Sequence, residues 1–220
     1  MTSFDKVLLG IDAELAKQFP VVFESLRPGV SEASLDAFET KYGVSLPPAL
    51  QALYRWHDGQ EDDAPPLFGN LHFQTFDDLT AYAQGWLDAP DQLEEWEMER
   101  GECPSFPVGY IQEVYLRAFW LAFADGPSAE SLCVDLEPDV RGTLGQVIVW
   151  GADFDGRYVL ADGLETLMTA LSKRLEAGEA RLVGGRSGHW RLAQFRWDDR
   201  DGSASFVRDI FSGWGAVLPG

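Results

Sequence analysis

Three histidines, two cysteines and a run of arginines near the C-terminus are the side chains of this chain best equipped for chemistry. A nucleophilic triad needs a serine or cysteine exposed on a strained turn with a histidine in reach. No G-x-S-x-G occurs. Gly185-Arg186-Ser187-Gly188-His189 is the nearest imitation, and a Gly-rich turn beside a strand explains it better. Cys133 lies inside an apolar run and reads as an ordinary buried thiol, while Cys103 has no local activating neighbour. Metal binding needs clustered ligands, yet His57, His72 and His189 are scattered and no C-x-x-C exists. His57, at a helix end, reads as a capping or packing residue. Asp198-Asp199-Arg200-Asp201-Gly202 lacks the spacing and terminal Glu of a calcium loop. Gly184 to Gly188 lacks the Lys and Ser/Thr of a phosphate loop. These residues require neither an enzyme, a metal nor a cofactor.

Charge is the second chemical signal. The net charge of −19 is spread unevenly. Residues 1–172 carry 30 acidic and 9 basic side chains, whereas residues 173–220 carry a net +2. The densest acidic stretches are Glu61-Asp62-Asp63 and the run from Asp91 to Glu102, with Glu94, Glu95, Glu97 and Glu99 at its centre. Such faces keep a protein solvated, and they can also steer a basic partner. The acidic body disfavours direct nucleic-acid binding, because phosphates are repelled. Arg186 and Arg191, among the arginines of the tail, suit an anionic contact or neutralise the acidic body, within the chain or across a homo-oligomer contact. Glu61, Asp62, Asp63, Glu94, Glu95, Glu97, Glu99, Arg186 and Arg191 are therefore the expected partner-binding residues.

The elements that must position these groups follow from local patterns. Ser31 is an N-cap, and Leu35, Phe38 and Tyr42 recur at helical spacing on one face. Gly43 suits a left-handed C-cap, and Pro47-Pro48 suit the first turn of a second helix. Leu50, Leu53, Tyr54 and His57 form that helix's stripe, and Asp58-Gly59 stops it. Val7, Leu8, Ile11, Leu15 and Phe19 predict an earlier helix packed on the body. Leu67 to Phe73 reads as a hairpin turning at Gly69-Asn70, and Asp77-Asp78 as the cap of a helix reaching Trp86. A helix around 92–100 and strands over 106–112, 119–123, 132–136, 146–150 and 157–161 follow, then a helix over 163–177. Past Gly178, His189 to Trp197 reads as a strand and Ser203 to Phe211 as a strand or helix. The order is an α+β one, with strands close enough to pair as antiparallel neighbours. A hydrophobic fraction of 45% and eight Trp argue for a packed globule. No run is long enough to span a membrane, the N-terminus is too acidic for a secretory signal, and two cysteines make a reducing cytoplasm the default.

In their order, Glu39 with Tyr42-Gly43-Val44 and Leu46-Pro47, then Leu50, Leu53, Tyr54 and Asp58-Gly59, then Leu67-Phe68-Gly69 and Phe73, carry a resemblance. Trp120 to Gly126, Leu132 to Leu136 and Gly145 to Ile148 continue it, so that it covers residues 28–176. The chain resembles SMI1/KNR4-like (SUKH) domains. That resemblance implies a mixed, largely antiparallel sheet flanked by helices and no catalysis. It divides the chain into an N-terminal helix at 1–27, the domain at 28–177 and an Arg/Trp-rich extension at 178–220. It implies packing roles for Leu46, Leu53, Tyr54 and Trp120, turn roles for Pro47 and Gly59, and loop-holding or partner-facing roles for Asp58 and Asp135. Bacterial members are typically immunity proteins against toxins, many of them nucleases. Fungal members coordinate cell-wall synthesis with signalling. The principal expectation is a toxin-neutralising protein with a basic nuclease partner, and the alternative a regulatory or scaffold protein. A small anionic-ligand binder or enzyme is a lesser third reading.

Overall fold

The computed structural model describes residues 1–101, 103–127, 129–152, 154, 156–184 and 190–193. A capping box at Thr2 and Asp5 starts α1 (Ser3–Gln18), and Pro20 opens the one-turn α2 (Pro20–Phe23). The short β1 (Leu26–Pro28) follows. Ser31 caps α3 (Glu32–Tyr42) by accepting from Ser34 N–H, and Gly43 closes it in the left-handed conformation. Pro48 opens α4 (Pro48–Trp56).

The second helix of this pair is shorter than its pattern predicts. It ends at Trp56, and His57–Gln60 forms β2, antiparallel to β1. Gly59 explains the change of course. It holds φ of 72°, and a Cβ there would meet Thr75 N at 2.7 Å, so only glycine lets the strand lie this close to the next helix.

The 67–73 hairpin is reduced to one bridge, Phe68 to Leu71. Its second arm, β3 (His72–Phe73), pairs outward with β5 (Trp120–Asp125). Thr75, rather than Asp77 or Asp78, caps α5 (Phe76–Leu87): its Oγ1 accepts from Asp78 N–H and donates back to the Asp78 carboxylate. Next come α6 (Pro90–Arg100) and β4 (Ser105–Phe106). The expected 106–112 strand stops at Phe106. Pro107 brings no N–H, and the Ser105 hydroxyl accepts from the backbone of Tyr110 and Ile111, which turns the chain away from any ladder.

Strands β5, β6 (Glu130–Asp135), β7 (Val147–Gly151) and β8 (Arg157–Ala161) are sequential antiparallel neighbours, and α7 (Leu164–Glu176) follows. They form one six-stranded sheet in the order β3-β5-β6-β7-β8-β4, in which only β4 and β8 run parallel. The fold is α+β, with a mixed, largely antiparallel sheet. Strands β9 (Arg181–Gly184) and β10 (Trp190–Ala193) form a separate antiparallel pair. Residues 194–197 of the expected 189–197 strand, and all of 203–211, lie outside the described residues.

Both faces of the sheet are buried, and alternation divides them. Leu121, Phe123, Leu132, Val134, Val147, Val149 and Leu160 meet α1, α4 and α7 through Ile11, Leu15, Leu50, Leu53, Leu167 and Leu171. Trp120, Ala122, Cys133, Ile148, Trp150 and Val159 point the other way, to Ile111, Tyr115, Leu116, Leu93 and Trp96. The long 88–118 region is thus the cover of the second face. Helix α5 contributes to both, with Phe76, Leu79 and Ala83 on one side and Tyr82 and Trp86 on the other.

Candidate partner-binding surface

The first acidic group sits on the loop between β2 and the Phe68–Leu71 bridge. Gln60, 2% exposed, builds that loop: its amide donates to Pro65 O at 3.1 Å, and its Oε1 accepts from Leu67 N–H and Phe73 N–H at 2.9 and 3.1 Å. One buried side chain therefore satisfies three backbone groups that would otherwise be orphaned. Glu61 is held by Arg27, whose Nε and Nη2 donate to its two oxygens at 3.1 Å each. This bidentate pair drives the Arg27 guanidinium further into its charged form. Asp62 and Asp63 stand exposed beside it.

The second group lies on α6. Leu93 and Trp96 turn toward the sheet, which leaves Glu94, Glu95 and Glu99 exposed together with Met98. Glu97 is partly buried and faces Arg117 at 3.9 Å. No hydrogen bond or ion pair among the described residues joins the two acidic groups. Arg191 lies on β10 opposite Val183, and Arg186 falls outside the described residues.

Leu46, Leu53, Tyr54 and Trp120 are buried. The Tyr54 hydroxyl donates to Gln74 O at 3.2 Å, and Pro47 precedes the first turn of α4. Asp58 accepts from Phe76 N–H at 2.7 Å, so its carboxylate sits at the positive N-terminus of α5. Asp135 is wholly buried and accepts from Glu137 N–H and from the Gln146 amide, each at 2.8 Å. Burial raises its pKa to about 6.

His57 joins three elements. One ring nitrogen contacts Arg27 O at 2.8 Å and the other the Asp12 carboxylate at 3.0 Å, while Trp56 Nε1 donates to the same carboxylate at 2.9 Å. Both nitrogens face acceptors, so the ring is committed to structure and ties α1 to β1.

A polar cluster that no sequence motif announced lies at the β5–β6 turn. Asn70 donates to Glu130 at 3.1 Å, and Ser131 donates to Asp125 at 3.0 Å. Burial raises the Asp125 pKa and lowers that of His72, its register partner across β3 and β5. Two buried atoms of the cluster, Asn70 Oδ1 and His72 Nδ1, have no hydrogen-bond partner among the described residues. No group of three or more His, Cys, Asp or Glu among the described residues could hold a metal ion. Cys103 and Cys133 are free and buried, and burial pushes the Cys133 thiol well up, away from thiolate chemistry. No helix among the described residues is long and apolar enough to cross a membrane.

What this geometry offers is surface: acidic loops and helices on a scaffold whose buried Gln60 and Asp135 are committed to hydrogen bonds that hold loops. The comparisons with known proteins agree with such a scaffold. The chain is 25% identical over 199 residues to the "Glucan synthesis regulatory protein" of Neurospora crassa, covering 76% of this chain and 37% of that protein. It is 25% identical over 204 residues to the "Cell wall assembly regulator SMI1" of Saccharomyces cerevisiae, covering 79% and 40%. It is 25% identical over 179 residues to the "Cell wall biosynthesis/cell cycle regulator smi1" of Schizosaccharomyces pombe, covering 77% and 35%. The chain thus spans two fifths or less of the length of these relatives. The sequence model of the SMI1 / KNR4 family (SUKH-1) matches residues 29–170, well over half the chain, from α3 into α7. This chain belongs to the SMI1/KNR4 family.

Proposed function

We propose that the chain is a non-catalytic regulatory module that acts by binding another protein. The observation that carries this reading is the match across residues 29–170 to relatives named as regulators of glucan synthesis and cell-wall assembly. It is supported by the commitment of the buried polar groups Gln60 and Asp135 to backbone and loop contacts. The names of the relatives favour regulation over toxin neutralisation, reversing the order expected from sequence. The acidic faces at Asp62-Asp63 and at Glu94, Glu95 and Glu99 would steer a partner carrying positive charge, and their effect would fall on association rate and salt dependence.

The test is affinity capture of the tagged chain from its own cells, followed by reconstitution from purified components. A stoichiometric complex with a component of a synthetic or signalling pathway supports the proposal, and its overturning result is the absence of any reconstituted complex. Toxin neutralisation keeps one specific support, the excess of acid over base in residues 1–172. It predicts that the product of an adjacent gene is toxic when expressed alone and harmless when this chain is present.

A further inference from the structure

Two loops at one end of the sheet are locked to each other and raise apolar side chains into solvent. The first runs from Pro107 to Ile111, and the second joins β6 to β7. Arg141 N–H donates to Gly109 O at 2.9 Å, Asp139 N–H to Tyr110 O at 3.1 Å, and Arg141 Nη1 to Val108 O at 3.3 Å. The amide of Gln146, itself buried, donates to Tyr110 O and to Asp135, each at 2.8 Å. At Gly142 a Cβ would lie 2.1 Å from Tyr110 O, so the approach of the two loops requires glycine there.

On this rigid platform Val140 is 92% exposed, Val108 66% and Leu144 61%. Single exposed aliphatic residues need no explanation. Three on two cross-bonded loops, with an arginine among them, do. The Arg141 guanidinium lies 5.3 Å from the Tyr110 ring centre, and no ion pair engages it among the described residues. Of the neighbouring acids, Asp139 accepts from Val140 N–H at 2.8 Å and Glu137 is partly buried. Arg and Tyr beside a desolvatable apolar patch is the composition of an interface centre.

The geometry points to this tip as a docking surface for a protein segment that presents an apolar anchor beside a carboxylate. The anchor would cover Val108, Val140 and Leu144, and the carboxylate would pair with Arg141. A second copy of the chain is the poorer occupant, since each copy carries a net −19. The locked loops lose little freedom on binding, which favours affinity from a small patch. This surface deepens the protein-binding reading proposed above and shares no residue with the acidic groups at 61–63 and 94–99.

The probe is a random peptide library displayed on phage, selected on the purified full chain and counter-selected on the Arg141→Glu variant. Enriched peptides should pair an aromatic or aliphatic anchor with a nearby Asp or Glu. Measured by fluorescence polarisation, they should bind at least about tenfold more weakly to Val140→Ser/Leu144→Ser and to Arg141→Glu, with Arg141→Lys between. Both changes are at exposed positions, and unchanged thermal melts show that the variants fold. The proposal is overturned if nothing is enriched, if the peptides bind every variant alike, or if they are basic and lost on Glu94→Lys/Glu95→Lys. It is also overturned if sedimentation shows a wild-type dimer that Val140→Ser abolishes. A physiological partner captured equally by wild type and Arg141→Glu would sink this surface and leave the regulatory reading intact. Failure to capture any partner would count against that reading, with the library result standing alone for the surface.

Discussion

The two faces of the central sheet are covered by different means. On one, α1, α4 and α7 bury aliphatic stripes, among them Ile11, Leu53, Leu167 and Leu171, whose own backbones are satisfied within helices. On the other, a mostly irregular segment lies over aromatic residues. The rings of Tyr82, Trp86, Trp96, Tyr115 and Trp150 meet edge to face in a chain, with successive centroids 5.7, 5.2, 5.5 and 5.9 Å apart. An irregular cover cannot satisfy its own backbone, so side chains from the sheet do it. Arg157 donates to Tyr115 O through Nε and Nη2 at 3.2 and 2.6 Å, and Trp150 Nε1 donates to the same oxygen at 2.9 Å. The helical face is held by area, with its long-range bonds running between elements, as from Trp56 and His57 to Asp12, and the aromatic face by area plus pins on the backbone of the irregular cover. A cover of the second kind can be rebuilt in length and outward chemistry while the sheet residues beneath it stay put.

The comparison can be broken most directly at Trp120, wholly buried on the aromatic side. Trp120→Ala should cost about 3–5 kcal/mol, at least as much as the roughly 2–5 kcal/mol expected for Leu53→Ala on the helical side, as read by chemical denaturation. A loss below about 1 kcal/mol would mean that the aromatic face is a lid rather than a core. Arg157→Met, at about 3 kcal/mol, sharpens the point because it removes two of the three donors named above and leaves Trp150 Nε1 as the remaining pin on the Tyr115 carbonyl. Hydrogen exchange should then quicken over 107–118 and not in α1 or α7. Uniform quickening would show that the two covers are one cooperative unit.

Asp135 gives a pH test on the same side. Burial raises its folded pKa to about 6 from the ordinary carboxyl value of 3.8, so the folded protein holds this proton more tightly than the unfolded chain does. The contribution is fully present below about pH 4, falls as pH rises toward 6, and is lost above it. It amounts to about 3 kcal/mol at full size. Melting temperature measured from pH 4 to 7 should therefore show a downward term in the wild type that Asp135→Asn lacks, and parallel curves would refute it. The smallest effect is expected on the helical side. Tyr54→Phe removes only the hydroxyl bond to Gln74 O and should cost about 1 kcal/mol, with exchange over 107–118 unchanged.

The helical face was legible because its information is local. Ser31, Gly43 and Pro48 mark the ends of α3 and α4, and spacing marks their buried stripes. The central strands were legible as apolar runs closed by turns. Strands β1 and β2 were not, since three and four residues containing Pro28 and Gly59 carry no period. The path of 107–118 was hidden for another reason. Ser105, Gln146 and Arg157 hold it, and nothing in their own neighbourhoods says which carbonyl or amide each will meet. The acidic groups were visible as composition, and the helix expected around 92–100 is α6, while the Gln60 bonds that build the loop under Glu61 required the fold. Val108 falls within the strand expected over 106–112, and only burial shows it turned outward.

The outermost strands of the large sheet, β3 and β4, are two residues long each. A visiting peptide that bound by strand addition would find almost no free row of N–H and C=O groups to pair with. The sheet is thus shielded from edge-to-edge aggregation despite its continuous apolar strands. Strand addition to this sheet is thereby disfavoured, and the partner proposed above would be recognised there by side chains on loops and helices, through shape and charge rather than backbone pairing.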